Sequence, residues 1–347
     1  AFMYPCFSPA MQREKEADCR SLRYASLSCM ANSTVQRHLT ERDVEILQAL
    51  DRCPLTVRQI LKLSQSFPGM TFKSTRSVQD RLQKLRQADW VRRWTYATAS
   101  RVGAPDYYRL TLLGYRLLHG ENAPPPTKRY FNEVGIARHH HTHSLAEFIV
   151  HTVVGALQRN VQMKYFRQEN SLRIQVGQET LFPDCAFELH CTDGRQFNFF
   201  VELDNGTERI QSVKDTDSWL RKIHLYEQYQ DKVYPHRFRL LVVATRSVER
   251  LQHILAVASA HVRNPQRSLL YAVHLEEYLL EADPVGIPCF RDHRGTAVAL
   301  ISTHARPSNT QLASINSTFT GKLSSLPVAT HSSPREPRSS GLPSPTS

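Results

Sequence analysis

The sequence lacks the features of a membrane or a secreted protein. No apolar run approaches the ~20 residues that a membrane-spanning helix requires, so membrane insertion is excluded. The N-terminal segment contains no apolar core of the kind that a signal peptide carries. The seven cysteines are scattered, odd in number and never spaced as CxxC, which argues against a zinc site or a disulfide framework. A reducing cytoplasm is therefore the expected location.

Acidic residues are also scarce relative to basic ones. The chain of 347 residues carries 44 Lys and Arg against 32 Asp and Glu, which gives a formal net charge of +12. This excess favours a polyanionic partner, with duplex DNA the first candidate and an anionic membrane surface the second. A chain of this length corresponds to about two ordinary domains.

The composition separates a folded middle from two flanking segments. Residues 1–38 show no periodicity, and we expect them to be disordered or foreign to the natural protein. Residues 302–347 are rich in Ser, Thr and Pro and are expected to form a disordered tail, because such a composition cannot bury a core. The middle is predicted to comprise a first domain over 39–120, a proline-rich linker over 121–137 and a second domain over 138–301.

Helical segments followed by two alternating strands characterise the first domain. The segments "TERDVEILQAL", "LTVRQILKLS" and "STRSVQDRLQKLRQADWV" place apolar residues at helical spacing, and Thr40 and Ser74 are predicted caps. "WVRRWTYATA" and "YYRL" alternate as strands on either side of a turn, and "TLLGYRLL" is a closing helix. This order predicts a winged helix-turn-helix, whose third helix normally enters the major groove of DNA.

Basic side chains cover the predicted third helix and the wing. The expected phosphate contacts are Arg76, Arg81, Lys84, Arg92, Arg93 and Arg101. The competing interpretations are a solvated basic face without a ligand and a winged helix that serves protein interaction. The complete pattern and the sign of the net charge favour DNA.

The second domain begins with the helix "ARHHHTHSLAEFIVHTVVGALQRN" and continues with three strands over about 163–176, 181–190 and 196–204. A helix over about 209–232 then leads to the strand "RFRLLVVAT", a further helix and a last strand. The crossover through the long helix predicts parallel pairing of its two flanking strands. The predicted fold class is therefore α/β, a mixed sheet covered by helices with an αβββαβ core.

Three carboxylates lie near one end of the apolar hairpin "LFPDCAFELHCTDGRQFNFFVELD". Glu202 and Asp204 must point the same way, because side chains alternate along a strand. A two-residue turn would pair Asp184 with Leu203, on the opposite face. A three-residue turn ending in a left-handed Gly194 would pair Asp184 with Glu202, and this is the geometry that we expect.

Carboxylates so close together repel one another and require a cation. Mg²⁺ is the expected cation, because Mg²⁺ takes oxygen ligands from one or two carboxylates. Mn²⁺ is the alternative. The predicted metal ligands are Asp184, Glu202 and Asp204. A metal there would polarise a DNA phosphate and activate a water. In "KIHLYEQY", Lys222 lies on the same helical face as two tyrosines, where it can offset developing negative charge.

Pro183–Asp184 and Glu202–Leu203–Asp204 within this order of elements resemble the PD-(D/E)xK nuclease superfamily. The predicted winged helix, "HHHTHSLAEF", "FPDCAFEL", "FFVELDNGTE" and "KIHLYEQY" together resemble the replication-relaxation family over most of 39–275. That resemblance implies a role in the initiation of plasmid replication and in DNA relaxation, with replication proteins as further partners. It also implies catalysis by Asp184, Glu202 and a lysine, but Asp204 stands where the superfamily has its lysine. Either Lys222 has taken over that function or the site no longer cuts.

Two further acids, Glu147 and Glu169, are additional candidates for the metal site. His139 and His143 have a spacing that could bind a metal, but no further ligand completes a zinc set, and a helix end facing solvent or phosphate is the preferred interpretation. Two functions remain open: a metal-dependent endonuclease or nickase, and a non-catalytic DNA-binding protein with an inert nuclease-like domain.

Overall fold

The computed structural model describes residues 39–69, 71–97, 104–124, 126, 128–169, 171–211 and 218–301. The expectations for residues 1–38 and 302–347, and for Arg101, lie outside these ranges. None of the helices within them has the length and the apolar character required to cross a bilayer. The cysteines in the described ranges carry free thiols and are Cys53, Cys185, Cys191 and Cys289.

Helices precede and cover the strands of two sheets and a separate hairpin. Within the described ranges the α-helices are α1 (Glu41–Arg52), α2 (Val57–Leu63), α3 (Thr75–Gln87), α4 (Leu112–His119), α5 (His139–Gln158), α6 (Trp219–Lys232), α7 (Val248–His261) and α8 (Leu275–Leu280). The strands are β1 (Leu55–Thr56), β2 (Val91–Thr95), β3 (Asp106–Leu110), β4 (Gln162–Arg167), β5 (Ile174–Val176), β6 (Glu179–Leu181), β7 (Cys185–His190), β8 (Gln196–Asp204), β9 (Arg239–Ala244), β10 (Leu270–His274), β11 (Phe290–Asp292) and β12 (Ala297–Val298).

The first part of the chain combines α1 to α4 with an antiparallel sheet in the order β1-β3-β2. The apolar residues that recur at helical spacing meet in one core, and they include Ile46, Leu50, Ile60, Leu63, Val78, Leu82 and Leu85. Both predicted caps are present. Ser74 Oγ accepts from the Ser77 amide at 3.3 Å, and the Thr40 amide donates to the Asp43 carboxylate at 2.7 Å.

The predicted linker packs against this first part. Its described residues include the short 3₁₀ helices Lys128–Phe131 and Ile136–Arg138. The hydroxyl of Tyr130 donates to Asp51 Oδ1 at 2.7 Å, and the amide of Val134 donates to the hydroxyl of Tyr107 at 2.9 Å. The segment therefore leads the chain into α5 along a surface that it helps to cover.

A seven-stranded sheet, in the order β12-β11-β10-β9-β8-β7-β4, forms the second part. β8, β9 and β10 are parallel and the remaining pairs are antiparallel, which confirms a mixed α/β fold and the predicted parallel crossover. Apolar residues on one face of the sheet, such as Phe199, pack with α5 and α8. Those on the other face, such as Phe200, pack with α6 and α7. Because side chains alternate between the two faces of β8, this strand contributes to the hydrophobic core on each side of the sheet.

Several predicted boundaries are wrong. The helix expected from about 209 begins at Trp219, after the Ser218 cap, because the chain leaving β8 first runs through turns with Gly206 at φ +76°. The strand expected over 163–176 is divided between β4 and β5. β5 instead forms a separate hairpin with β6, and Gly177 turns the chain between them at φ +59°. The strands β11 and β12, which extend the sheet beyond β10, were not predicted.

Buried polar contacts join α2 to α5. The side-chain amide of Gln59 donates to Glu147 Oε1 at 2.8 Å, and the ammonium of Lys62 donates to Nδ1 of His151 at 2.9 Å. Apolar residues of both parts also belong to one continuous core. The described residues between 39 and 301 consequently group as one compact unit.

His151 is expected to make the fold sensitive to acid. Burial, assisted by the Lys62 ammonium, lowers the pKa of His151 from 6.5 to about 4. The unfolded chain takes up this proton as the pH falls through about 6.5 and the folded chain does not until about 4, so stability is lost across that window, by up to about 3 kcal/mol. Urea unfolding of the His151→Gln variant should show a smaller loss than the wild-type protein between these pH values. The exposed control His253→Gln should show the same loss as the wild type, and an equal loss in all three proteins would contradict the assignment.

Candidate functional site

The hairpin β7–β8 has the three-residue turn that the sequence predicts. Cys185 pairs with Val201 and His190 with Gln196, and the amide of Cys191 donates to the carbonyl of Arg195 at 2.9 Å. Gly194 closes the turn with φ +84°, in the left-handed region that favours glycine. Continuing this register places Asp184 opposite Glu202, at the end of the sheet.

Glu202 is the buried centre of the site, with 3 % of its surface exposed. Lys222 and Tyr226 lie one turn apart on α6, so both reach the end of β8. The Tyr226 hydroxyl donates to Oε1 of Glu202 at 2.6 Å, and the Lys222 ammonium donates to Oε2 at 2.8 Å. Burial, opposed by Lys222 and reinforced by the neighbouring Asp184 carboxylate, raises the pKa of Glu202 to about 7.

Lys222 bridges two carboxylates. Its ammonium lies 2.8 Å from Oε2 of Glu202 and 2.8 Å from Oε1 of Glu208. Burial lowers the pKa of Lys222, but the two carboxylates outweigh burial and hold the pKa above its usual value. The lysine is therefore a fixed positive charge. Glu208 was missed in the sequence, although it follows Asp204 by four residues in "DNGTE".

Asp204 makes its contacts with Arg250 and Trp219 rather than with Lys222, and its role as a metal ligand stays a prediction. Nη2 of Arg250 donates to Oδ1 of Asp204 at 2.8 Å, Nε of Arg250 donates to Oδ2, and the indole of Trp219 also donates to Oδ1 at 3.0 Å. The Asp204 carboxylate is 2 % exposed, and three hydrogen bonds from Arg250 and Trp219 engage both of its oxygens. Asp204 instead anchors α7 and α6 to the sheet.

Asp184 joins the hairpin to α5. Its Oδ2 accepts from the Leu203 amide at 2.7 Å, and its Oδ1 lies 3.1 Å from Nε2 of His141. Among the residues that the structure describes, one group of three ligand-type side chains brings donor atoms within 4.8 Å of one another: His141, Glu169 and Asp184. Glu169, an additional candidate from the sequence, therefore lies at the site, where Arg138 also contacts it.

His141 was missed in the sequence, which drew attention to His139 and His143 instead. His139 is held between Ala97, whose amide donates to Nδ1 at 2.7 Å, and the carbonyl of Val134. The helical turn directs His141 to the other side, toward the end of the sheet. Its position two residues after His139 in "HHHTH" was the available signal.

Glu147 lies in the contact between α2 and α5 rather than at the carboxylate cluster. Its Oε1 accepts from Gln59, and Nε2 of His143 lies 3.8 Å from the same oxygen. Burial lowers the pKa of His143, and the Glu147 carboxylate opposes that shift. The structure therefore does not support Glu147 as a metal ligand.

Arg81, predicted as a phosphate contact, is engaged by residues of α1 and its cap, and the phosphate contact stays a prediction. Its guanidinium makes a two-pronged contact with Asp43 and a further one with Thr40. Asp43 is 1 % exposed, so the pair lies against the core and fixes α3 to α1. Arg81 is a structural residue in this arrangement.

The other predicted basic side chains face solvent on α3 and β2. Arg76 is 82 % exposed and forms a pair with Asp80 along the helix at 3.0 Å. Lys84 is exposed as well. A surface groove between the end of α3 and β2 contains Arg86, Arg92 and Arg93 together. Asp89 also lines this groove, 3.9 Å from Arg92, and Arg93 lies 3.4 Å from Asp106. Three arginines against one lining carboxylate leave the groove with a net positive charge that an extended anion can reach.

Comparison with known proteins assigns a family. No curated protein and no solved structure matches the chain. Residues 50–242 match the sequence profile of the family described as replication-relaxation. The match begins in α1, continues through the hairpin and α6, and ends in β9. It covers more than half of the chain, and the protein therefore belongs to the replication-relaxation family.

Proposed function

We propose that this protein binds duplex DNA and cleaves one of its strands at a divalent metal ion held at the end of β7 and β8. The first part acts as a winged helix and the second as a nuclease-like core of the PD-(D/E)xK type. The observation that carries this function is the juxtaposition of Asp184, Glu202 and Lys222 at one end of a mixed sheet. Because the chain belongs to the replication-relaxation family, we infer that the cleavage serves the replication or the relaxation of DNA.

The donor set fits a divalent cation. Asp184 and Glu202 are adjacent carboxylates, and burial together with the neighbouring Asp184 carboxylate raises the pKa of Glu202 although Lys222 opposes that shift. Oxygen ligands of this kind suit Mg²⁺ or Mn²⁺. When bound, the cation supplies a Lewis acid for the phosphate and a water of lowered pKa. Asp184 and Glu202 would hold it, and Asp204 is committed to Arg250.

Lys222 places a fixed positive charge beside Glu202. Its reach from α6 substitutes for a lysine on β8, where this chain has Asp204. The ammonium would stabilise the negative charge that develops on the phosphate during hydrolysis. Tyr226 holds the other oxygen of Glu202, so the carboxylate keeps one orientation in the buried site.

DNA binding by the first part rests on the groove of Arg86, Arg92 and Arg93, with Arg76 and Lys84 beside it on α3. The triple variant with alanine at the three groove arginines should bind duplex DNA more weakly. The slope of log affinity against log salt should fall by about one for each phosphate that is no longer neutralised. A matched control replaces Arg173, Arg237 and Arg291, which are exposed on the second part. It removes the same charge and should bind nearly as the wild type does. If both triple variants lose the same amount of DNA affinity, the groove is not the DNA-binding surface.

A non-catalytic role is the second candidate, and a specific observation favours it. Glu202 is already paired with Lys222, and Asp204 with Arg250, so two of the three predicted ligands are neutralised by side chains of the chain itself. A domain with such internal ion pairs can fold without a metal. In that case the protein would bind DNA and recruit replication proteins.

Relaxation of supercoiled plasmid separates the two functions. The full chain is incubated with plasmid in Mg²⁺, in Mn²⁺ and in EDTA, and DNA binding is measured on the same preparations. Metal-dependent conversion to the open circular form supports the nuclease. Binding without conversion in either metal would reject the nuclease and leave the recruiting role.

A further inference from the structure

We propose that His141, Glu169 and Asp184 bind a divalent transition-metal ion, preferred over Mg²⁺, and that Asn205 positions the His141 ring for it. This site rests on the proposed function only in that both require a metal at Asp184. The geometry points to it independently, because the donor atoms of the three side chains lie within 4.8 Å of one another.

The contact between His141 and Asp184 has the dimensions of a ligand pair. Nε2 of His141 is buried, makes no hydrogen bond and lies 3.1 Å from Oδ1 of Asp184. A cation with ligand bonds of about 2.1 Å holds neighbouring ligand atoms about 3 Å apart. A buried nitrogen without a partner is costly, and a metal ion would satisfy it together with Oδ1.

The two carboxylates are already oriented toward the ring. The Leu203 amide fixes Oδ2 of Asp184 at 2.7 Å, which leaves Oδ1 on the side of His141. Arg138 contacts Oε1 of Glu169 at the start of α5 and so holds that carboxylate near the same point. Elements that are distant in sequence therefore converge: the start of α5, the end of β4 and the start of β7.

An imidazole in the set changes the choice of metal. Oxygen ligands alone suit Mg²⁺, whereas imidazole nitrogen suits later first-row ions, which bind mixed nitrogen and oxygen sites more tightly. Mn²⁺ accepts carboxylates and imidazole alike and is the appropriate probe. The loss of this nitrogen should therefore reduce the affinity for Mn²⁺ far more than the affinity for Mg²⁺.

Asn205 controls which ring nitrogen of His141 carries the proton. Nδ2 of Asn205 lies 3.0 Å from Nδ1 of His141, and Oδ1 of Asn205 accepts from the Thr245 hydroxyl at 2.9 Å. With Nδ1 accepting, the proton of the neutral ring is on Nε2. Rotation of the amide by half a turn presents Oδ1 to Nδ1–H and frees Nε2 for a metal. The Thr245 hydroxyl can then accept from Nδ2, because a hydroxyl serves in either role.

Metal binding to the full chain, measured by titration calorimetry near pH 7.5, tests the site without any nuclease assay. The wild type should bind one Mn²⁺ at least about tenfold more tightly than Mg²⁺. His141→Ala should weaken Mn²⁺ binding by about 10- to 100-fold and change Mg²⁺ binding little. The exposed histidine control His253→Ala should retain the wild-type values for both ions. Circular dichroism on each variant verifies that it is folded.

Asn205 is tested as a positioning residue by the ratio of the two affinities. Asn205→Ala should lower Mn²⁺ affinity by about tenfold, and Asn205→Asp, whose carboxylate accepts from Nδ1–H, should restore it. A merely structural role would lower the affinities for Mn²⁺ and Mg²⁺ in the same proportion and would not be rescued by Asp.

The outcomes also separate this site from the proposed nuclease. Tight Mn²⁺ binding that depends on His141, without plasmid relaxation, keeps the metal site and rejects the nuclease. Relaxation that is equal in Mg²⁺ and Mn²⁺ and unchanged in His141→Ala overturns the histidine site and keeps the nuclease. A wild-type protein that binds Mn²⁺ no better than Mg²⁺ also overturns the histidine site.

Discussion

Replacing Asp184 with Asn is expected to reduce metal-dependent relaxation of supercoiled plasmid to the level without enzyme. The change keeps the size of the side chain and the acceptor for the Leu203 amide, but it removes the charge that holds the cation. Glu202→Gln should have the same effect. DNA binding by either variant should stay within about twofold of the wild type, because the proposed DNA groove is formed by α3 and β2, whereas Asp184 and Glu202 belong to the β7–β8 hairpin, and independent sites add.

Two further variants test the role of the lysine and provide a control for the loss of a buried carboxylate. Lys222→Ala should slow relaxation by roughly 100-fold while metal binding persists, since lysine stabilises charge and is not a metal ligand. The matched control is Glu188→Gln, a buried carboxylate on the same hairpin that pairs with His190 away from the site. It should relax plasmid at the wild-type rate. If Asp184→Asn still cuts at that rate, Asp184 is not part of the active site.

Arg81→Ala is expected to be among the most destabilising single changes in the first part. The Asp43 carboxylate is 1 % exposed and is held by the guanidinium of Arg81. Removing one partner of a buried ion pair costs about 3–5 kcal/mol. The lower end of that range is expected, because the Thr40 amide and hydroxyl still donate to Asp43. The free energy of unfolding in urea should fall by that amount.

Arg76→Ala is the matched control on the same helix. Its side chain is 82 % exposed and its pair with Asp80 spans one helical turn, so the loss should be about 0.5 kcal/mol or less. In the double variant Asp43→Asn/Arg81→Ala, part of the stability should return, since no buried charge remains. Similar small losses for Arg81 and Arg76 would show that the Asp43 pair does not fix α3. The contrast also explains why Arg81 is unsuited to probing DNA contacts, whereas the groove arginines are suited to it.

Short-range patterns identified most of the elements and the central pair of the site. Helical spacing located α1 to α5, and the caps at Ser74 and Thr40 are set by the next few residues. Alternation along β8 divided its side chains between two faces. The three-residue turn with Gly194 then brought Asp184 opposite Glu202, because loop length fixes register. Each of these features depends on neighbouring residues, which is why the sequence alone determined them.

The partners of the charged groups were decided only by the packing of distant elements. Arg250 of α7 pairs with Asp204, and Arg81 of α3 pairs with Asp43. The residue predicted as a metal ligand and the residue predicted as a DNA contact therefore each have a partner that the sequence did not indicate. His141, in the first turn of α5, lies 3.1 Å from Asp184, which immediately precedes β7. Sequence periodicity cannot predict such a contact, because the chain offers many basic and acidic residues that could pair. Which of them pair is decided by burial in the folded protein, where an unpaired charge is costly. The sequence therefore determined that carboxylates gather at one end of β8, and the tertiary structure decided which side chain each of them contacts.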